Sequence, residues 1–318
     1  MAKITIGVDV GGTKIQTVAV VDSRVVGQAR HPTPQTDAQG VMDEIVAAAR
    51  EALGGAGGRA GDLRAIGIGT PGTVDAATGH VSNSSNVPGF MQEVPLGPTV
   101  SAAFNGVNVT VDNDVRVATM GEFRRGAGRP YRDLLGVFVG TGVGGGLILD
   151  GKLRRGRGSA GEIGHTVVRR GGRRCVCGMR GCLEAYAGRM SIEQVARRHA
   201  AAGTHTLLFK IMEAKGRDRV TSSVIADALD RGDELTQKLI GEAIDALGLA
   251  IANAQNLLDL EAVIVGGGLG DRLGQPFVQR IERATYPHLH VPDRPPAILP
   301  TELGDLSGAV GAAVVAGG

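Results

Sequence analysis

The stretch ITIGVDVGGTKIQTVAVVD, residues 4–22, has an echo in LLGVFVGTGVGGGLILDGKL, residues 134–153. Each runs as an apolar strand, a glycine turn and a second apolar strand, the pattern of a β-hairpin. Gly7-Val8-Asp9-Val10-Gly11 aligns with Gly136-Val137-Phe138-Val139-Gly140, and only the first copy carries an acidic residue. One supersecondary unit occurring twice points to an internal duplication.

Working outward, VVGQARHPT reads as a third strand. Residues 38–53 read as an amphipathic helix, with Val41, Ile45, Val46, Ala49 and Leu53 at helical spacing. LRAIGIGTPG gives a buried strand closed by a Pro-Gly turn. A loop-rich segment, a short helix near residue 100, the strand VNVTVDND and a helix from about Asp114 follow. The second half is largely helical, most clearly over 236–258. It then gives a strand AVIVGGG (262–268), a helix, a Pro-rich crossover and a final apolar helix SGAVGAAVVAG. Alternating strands and helices make an α/β protein. The boundary is expected near 111–113: a small domain of residues 1–112, joined by a C-terminal helix over about 303–318, and a large domain of residues 113–302.

The chain has 318 residues, 42% hydrophobic and 21% charged, as in a folded globular protein rather than a disordered one. It has no Trp and only 3% aromatic residues, so its cores must be built from Val, Ile, Leu and Ala. A net charge of +2 argues for no nucleic-acid partner. Arg154-Arg155-Gly-Arg157 and Arg169-Arg170-Gly-Gly-Arg173-Arg174 read either as solvated loop charge or as an anion-facing surface. The sequence has no membrane span and no secretory signal pattern, which makes a cytoplasmic location the expectation.

Three glycine turns carry weight together: Asp9-Val-Gly11-Gly12-Thr13-Lys14, Gly140-Thr141-Gly142-Val-Gly144-Gly145 and Gly266-Gly267-Gly268. Open amides at such turns form anion-binding concavities. The first two turns run strand to strand, which excludes a P-loop and a dinucleotide-binding turn leading into a helix. The arrangement resembles the actin-like ATPase superfamily, a two-domain duplicated fold of the ribonuclease H-like kind. That resemblance implies ATP and Mg2+ as cofactors. Asp9 would face the Mg2+, and Gly11, Gly12, Thr13 and Lys14 would lie by the transferred phosphate. Thr141 and Gly142 would hold the β- and γ-phosphates, with Gly267 and Gly268 beside adenosine.

A phosphoryl acceptor needs a carboxylate near its hydroxyl, and Val111-Asp112-Asn113-Asp114 lies where a strand gives way to a helix. Either Asp there also reads as a helix N-cap. All three cysteines fall within CVCGMRGCLE, ten residues after Gly161-Glu162-Ile-Gly164-His165. Cys175, Cys177, Cys182 and His165 are four ligands of the number and type that zinc prefers. Four protein ligands leave no open position, so such a Zn2+ is structural. The spacings are not those of a redox CxxC, and buried free thiols are the bland alternative.

These motifs are similar to those of the ROK family (repressors, open reading frames and kinases), whose zinc motif reads CxCGxxGCxE. The likeness extends from Asp9 to Gly268. It implies ATP-dependent phosphorylation of the 6-hydroxyl of a hexose, glucose first, in a homodimer or homotetramer. Asp114 would be the general base and Asn113 would bind a neighbouring hydroxyl. Asn86 would contact the sugar near Gly72, and Glu162, His165 and Glu184 would meet the remaining hydroxyls. Two departures stand out. Asn113-Asp114-Val115-Arg116 replaces the Asn-Asp-Ala-Asn of many glucokinases in the family, and Phe90 stands where Trp is common. The alternatives are a kinase for an amino sugar or N-acetylhexosamine (kanosamine, GlcNAc, ManNAc), or for mannose or fructose. A sugar-sensing regulator is not expected, since the first strand begins by residue 4 and leaves no room for a helix-turn-helix.

Overall fold

The computed structural model describes residues 3–317. In chain order the strands are β1 Ile4–Val10, β2 Lys14–Val21, β3 Arg24–Pro32, β4 Leu63–Thr70, β5 Thr73–Asp75, β6 His80–Ser82, β7 Asn108–Asn113, β8 Leu134–Val139, β9 Val143–Leu149, β10 Lys152–Leu153, β11 Ala262–Gly266 and β12 Ala297–Pro300. The helices are α1 Ala38–Gly55, α2 Leu96–Ala103, α3 Asp114–Arg125, α4 Glu184–Ala187, α5 Arg189–Ala201, α6 Leu208–Ala214, α7 Ser222–Asp230, α8 Glu234–Leu258, α9 Gly267–Thr285 and α10 Ser307–Gly317.

The chain forms two compact units. The first holds the chain up to Pro130, Gly146–Ala160, and everything from Glu302 on; the second holds Tyr131–Gly145 and Gly161–Thr301. The 112/113 break expected from the sequence falls at the β7–α3 junction, inside the first unit. The physical reason is that α3 packs on α10 in that unit.

The first unit is built on a sheet of order β3-β2-β1-β4-β7. β1 pairs antiparallel with β2 and parallel with β4, and β4 pairs parallel with β7. Successive side chains of a strand face opposite ways. Ile6, Val8 and Val10 therefore join Val41, Ile45 and Ala49 of α1 in one fully buried core. Gly7 faces the other way, where a Cβ would collide with the Ala309 carbonyl of α10; Gly67 meets Ala312 likewise. Bare glycine backbone on β1 and β4 thus lets α10 lie directly on the sheet.

The second unit carries β8, β11 and β12, all parallel, within the sheet order β10-β9-β8-β11-β12. The end of β9 and β10 are assigned to the first unit. The two sheets match position for position: an outer strand, a hairpin partner, the first strand of the hairpin, then two parallel strands. The duplication read from the two hairpins therefore extends to whole sheets.

Four short strands escape the sequence reading, β10 among them. Short β5 and β6 form a hairpin inside the loop-rich segment, and β12 lies within the Pro-rich crossover. In addition, β11 ends at Gly266, and Gly267 already belongs to the helix that follows.

Candidate active site

In the first unit the β1–β2 turn is closed by Gly11 N donating to the Lys14 carbonyl at 2.9 Å. The segment after β3 then captures the carbonyls of the turn. Thr33 Oγ1 donates to Gly11 O at 2.6 Å, Thr33 N to Thr13 O at 3.2 Å, and Gln35 Nε2 to Gly12 O at 3.1 Å. A trans peptide points its C=O and the next N–H in opposite directions. Fixing three consecutive carbonyls on one side therefore turns the following amides to the other side. The Gly12 and Thr13 amides donate to no acceptor among the described residues. This is the geometry of an anion-binding turn. Thr33 is buried, and no local sequence signal marked it or Gln35.

Asp9, at the end of β1, lies with its carboxylate against Gly308 in the first turn of α10, where a Cβ would overlap it. Burial and then the Asp114 carboxylate push the Asp9 carboxyl up to about 7; Lys14 opposes this and Asp305 adds to it. Lys14 itself pairs with Asp305 at 3.0 Å, and Arg30 shares that carboxylate at 3.6 Å.

At the β7–α3 junction the helix cap is Asn113, not an aspartate. Asn113 Oδ1 accepts from Val115 N at 3.1 Å and Arg116 N at 3.2 Å. Its Nδ2 donates to Asp114 Oδ1 at 2.8 Å, and Val115 N donates to the same oxygen at 3.0 Å. Asp114 is thus oriented by its neighbours at a helix start. Asp112, 1% exposed, is committed to an ion-pair network instead: Arg116 at 2.9 Å and Arg155 at 2.7 Å. Arg116 also donates to the Gly158 carbonyl at 3.0 Å. Its departure from the glucokinase pattern therefore builds a clamp on the loop around Gly158. Asn86 is exposed, and its carbonyl packs on Gly12 so closely that a Cβ there would overlap it. Gly72, at φ 103°, packs on Ser84 of the same loop. Phe90 is fully buried in the core.

In the second unit the β8–β9 turn repeats the first design. Gly140 N donates to Gly142 O at 2.9 Å, and the turn's carbonyls are again captured, here by amides at the start of α5. Arg189 N donates to Gly140 O and Met190 N to Thr141 O, each at 3.1 Å. Glu184 Oε2 accepts from Val143 N at 2.9 Å and fills the space that a side chain on Gly142 would need. Gly164 of the Gly161–His165 segment packs on the Val143 carbonyl, which brings the short 3-10 turn of His165 to the same hairpin. Glu162 caps that turn through its carbonyl, at 3.1 Å from His165 N. Gly267, at φ 80°, packs on the Val139 backbone at the end of β8, and Gly268 lies beside Ser222.

His165, Cys175, Cys177 and Cys182 converge, with their ligand atoms all within 4.8 Å of one another. Cys177 and Cys182 Sγ are 3.7 Å apart, and Cys175 Sγ is 3.9 Å from His165 Nδ1. A tetrahedral zinc with Zn–S bonds near 2.3 Å sets its sulfurs about 3.8 Å apart. The cluster therefore fits a four-coordinate ion, with Nδ1 as the histidine ligand. Burial pushes the Cys175 thiol up to about 12, so a thiolate there calls for a bound cation. Glu184 Oε1 lies 3.7 Å from Cys175 Sγ, which joins the cluster to the β8–β9 turn through one carboxylate.

The arginine runs resolve in part into internal pairs. Arg155 holds Asp112, whereas Arg173 pairs with Glu242 and lies over the Tyr186 ring at 4.7 Å. Among the described residues, no helix is long and apolar enough to cross a membrane.

The sequence profile of the ROK family matches residues 5–318. A glucokinase from Streptomyces coelicolor is 35% identical, with 98% of this chain and 97% of that protein covered. The crystal structure of a ROK family glucokinase from Streptomyces griseus, in complex with glucose and AMPPNP, superposes with a TM-score of 0.83. It is 35% identical and covers 98% of this chain and 99% of its own. An N-acetylmannosamine kinase from Vibrio vulnificus is 29% identical over 87% of this chain and 86% of its own.

Proposed function

Because this chain belongs to the ROK family, we propose that it transfers the γ-phosphoryl group of ATP to the 6-hydroxyl of a hexose, with glucose as the first choice of acceptor. The observation that carries this reading is Asp114, held by the Asn113 cap in the unit that also bears Asp9 and a carbonyl-captured glycine hairpin. The sugar oxygen attacks the γ-phosphorus, the bond to the ADP oxygen breaks, and Asp114 takes the hydroxyl proton. The transition state is loose, so the base chiefly orients the hydroxyl and accepts its proton late. By the family resemblance, Asn113 and Asn86 (near Gly72), and likewise Glu162, His165 and Glu184, would each bind a sugar hydroxyl.

The open amides at Gly12 and Thr13, with Lys14, would take the transferred phosphate, and Thr141 and Gly142 the β- and γ-phosphates. Gly267 and Gly268 would lie beside adenosine. Asp9 and Asp114 form an acidic pair that a divalent cation would relieve, which fits Mg2+ carried in with the nucleotide. Zn2+ at the Cys3His cluster would supply no chemistry. It would fix His165 with Nδ1 on the metal, leaving Nε2 for the sugar, and would orient Glu184. A cytoplasmic setting suits three unpaired cysteines.

An N-acetylated or amino hexose is the second reading, favoured by the Vibrio relative. A coupled ADP-release assay over hexoses, hexosamines and amino sugars tests both. ADP release should depend on the sugar, be highest with glucose, and fall at least about 100-fold in Asp114→Asn. Metal analysis of the same preparation should return zinc. ATP consumption independent of any sugar would end the kinase reading, and a hexosamine preferred over glucose would select the second.

A further inference from the structure

The first hairpin carries its own cation, Lys14. The second hairpin, Gly140-Thr141-Gly142-Val143-Gly144-Gly145-Gly146, has none in sequence. The fold brings one to it. The Arg189 guanidinium donates through Nη2 to Thr141 Oγ1 at 3.0 Å and through Nη1 to Ser222 Oγ at 3.3 Å. Ser222 in turn neighbours Gly268, whose Cβ position would lie 3.6 Å from that hydroxyl. Arg189 therefore spans the turn expected at the phosphates and the turn expected at adenosine.

Both partners of the guanidinium are neutral hydroxyls. No carboxylate among the described residues lies at ion-pair distance from it. Glu193, one turn along α5, is occupied by Arg197 at 2.6 Å and by the Val220 amide at 2.9 Å. Burial lowers the Arg189 pKa from its ordinary value; Glu193 opposes the shift and Arg219 adds to it. An arginine keeps its proton even so. The result is a half-buried positive charge with no ion-pair partner among the described residues, which a bound anion would complement. The α5 amides are not available for that task, because Arg189 N and Met190 N already hold the Gly140 and Thr141 carbonyls. The side chain is the group left facing the turn.

We propose that Arg189 binds the phosphate chain of the nucleotide directly, as the cation that the second hairpin lacks in sequence. The inference rests on the kinase reading and adds to it a phosphate ligand that no motif marked. It also places a planar, multidentate donor where phosphate oxygens would replace hydroxyls as its acceptors.

Calorimetric titration of magnesium-ADP and of adenosine into the full chain, with no sugar present, tests it. Arg189→Met keeps the apolar stem and should weaken magnesium-ADP about 10- to 100-fold, the scale of one or two charge-assisted hydrogen bonds. Adenosine should change by less than about twofold, because it has no phosphate to lose. Arg189→Lys should recover part of the loss. An unchanged ADP affinity overturns the proposal. So does an equal loss for adenosine and ADP in both variants, which would make Arg189 a structural prop for Ser222. The two failures are separable: a wild-type chain that binds no ADP and shows no hexose-dependent ADP release brings down the kinase reading itself, whereas unaltered binding in Arg189→Met removes this inference alone.

Discussion

Asp9 illustrates how a single residue can trade stability for function. Its carboxylate is sunk against the first turn of α10 and shares the site with Asp114, and these two effects raise its pKa from 3.8 to about 7. The folded chain thus keeps a proton that the unfolded chain loses near pH 4. Between those values the folded state binds more protons, so stability from this group is lost as pH rises through about 7. Asp9→Asn should therefore melt at a higher temperature than the wild type at pH 8, with the gap shrinking as the pH falls toward 4. Thermal unfolding in buffer without magnesium measures this, and equal melting temperatures at pH 8 would refute it. Nucleotide-dependent activity should drop in the same variant. The sequence exposed Asp9 through its glycine neighbours, but not its raised pKa. That arises from Asp114 and from Gly308, which lie far away in the chain.

At the scale of elements, the two glycine hairpins were legible because a strand–turn–strand pattern is local. What holds them was not. In the first, the side chains of Thr33 and Gln35 capture the carbonyls of the turn. In the second, the backbone amides that begin α5 do so. The same result is reached by unrelated residues, so no repeat in the sequence reveals it. The Cys3His cluster was legible for a local reason too: its three cysteines fall within eight residues and their chemistry is uncommon. Asn113 shows the limit of type-based reading, since Asp and Asn both cap helices and only the geometry distinguishes them.

If the captured carbonyls set the first turn, Thr33→Val, which keeps the shape and removes the hydroxyl, should raise KM for ATP. Roughly tenfold is expected from loss of one buried hydrogen bond that positions two amides. The KM for the sugar should move little, and Thr33→Ser should restore most of the loss. A parallel rise in both KM values would point to general destabilisation instead.

At the scale of the whole molecule, the chain leaves the first unit and finally returns to it. The return was readable as a last apolar helix, because SGAVGAAVVAG has no polar face to show to water. The clasp that secures it was not. Glu122 of α3, fully buried, takes Leu303 N at 2.9 Å and Ser307 Oγ at 2.6 Å on one oxygen. Its other oxygen takes Ala127 N and Glu302 N, both at 3.0 Å. Four donors surround this carboxylate, and no cation among the described residues pairs with it. Glu122→Gln keeps the shape but turns an amide NH2 toward donors, leaving at least two of them unsatisfied in the interior. The expected cost is about 3 kcal/mol, in the range for hydrogen bonds to a buried charge. For a chain of this size that lowers the melting temperature by roughly 6–12 °C. The Cys3His cluster lies in the other unit, so the metal content of the preparation should not change in this variant. A melting temperature within about 2 °C of wild type would mean that the glycine-backed contacts of α10 with β1, β4 and α3 are enough to hold the returning helix without the clasp.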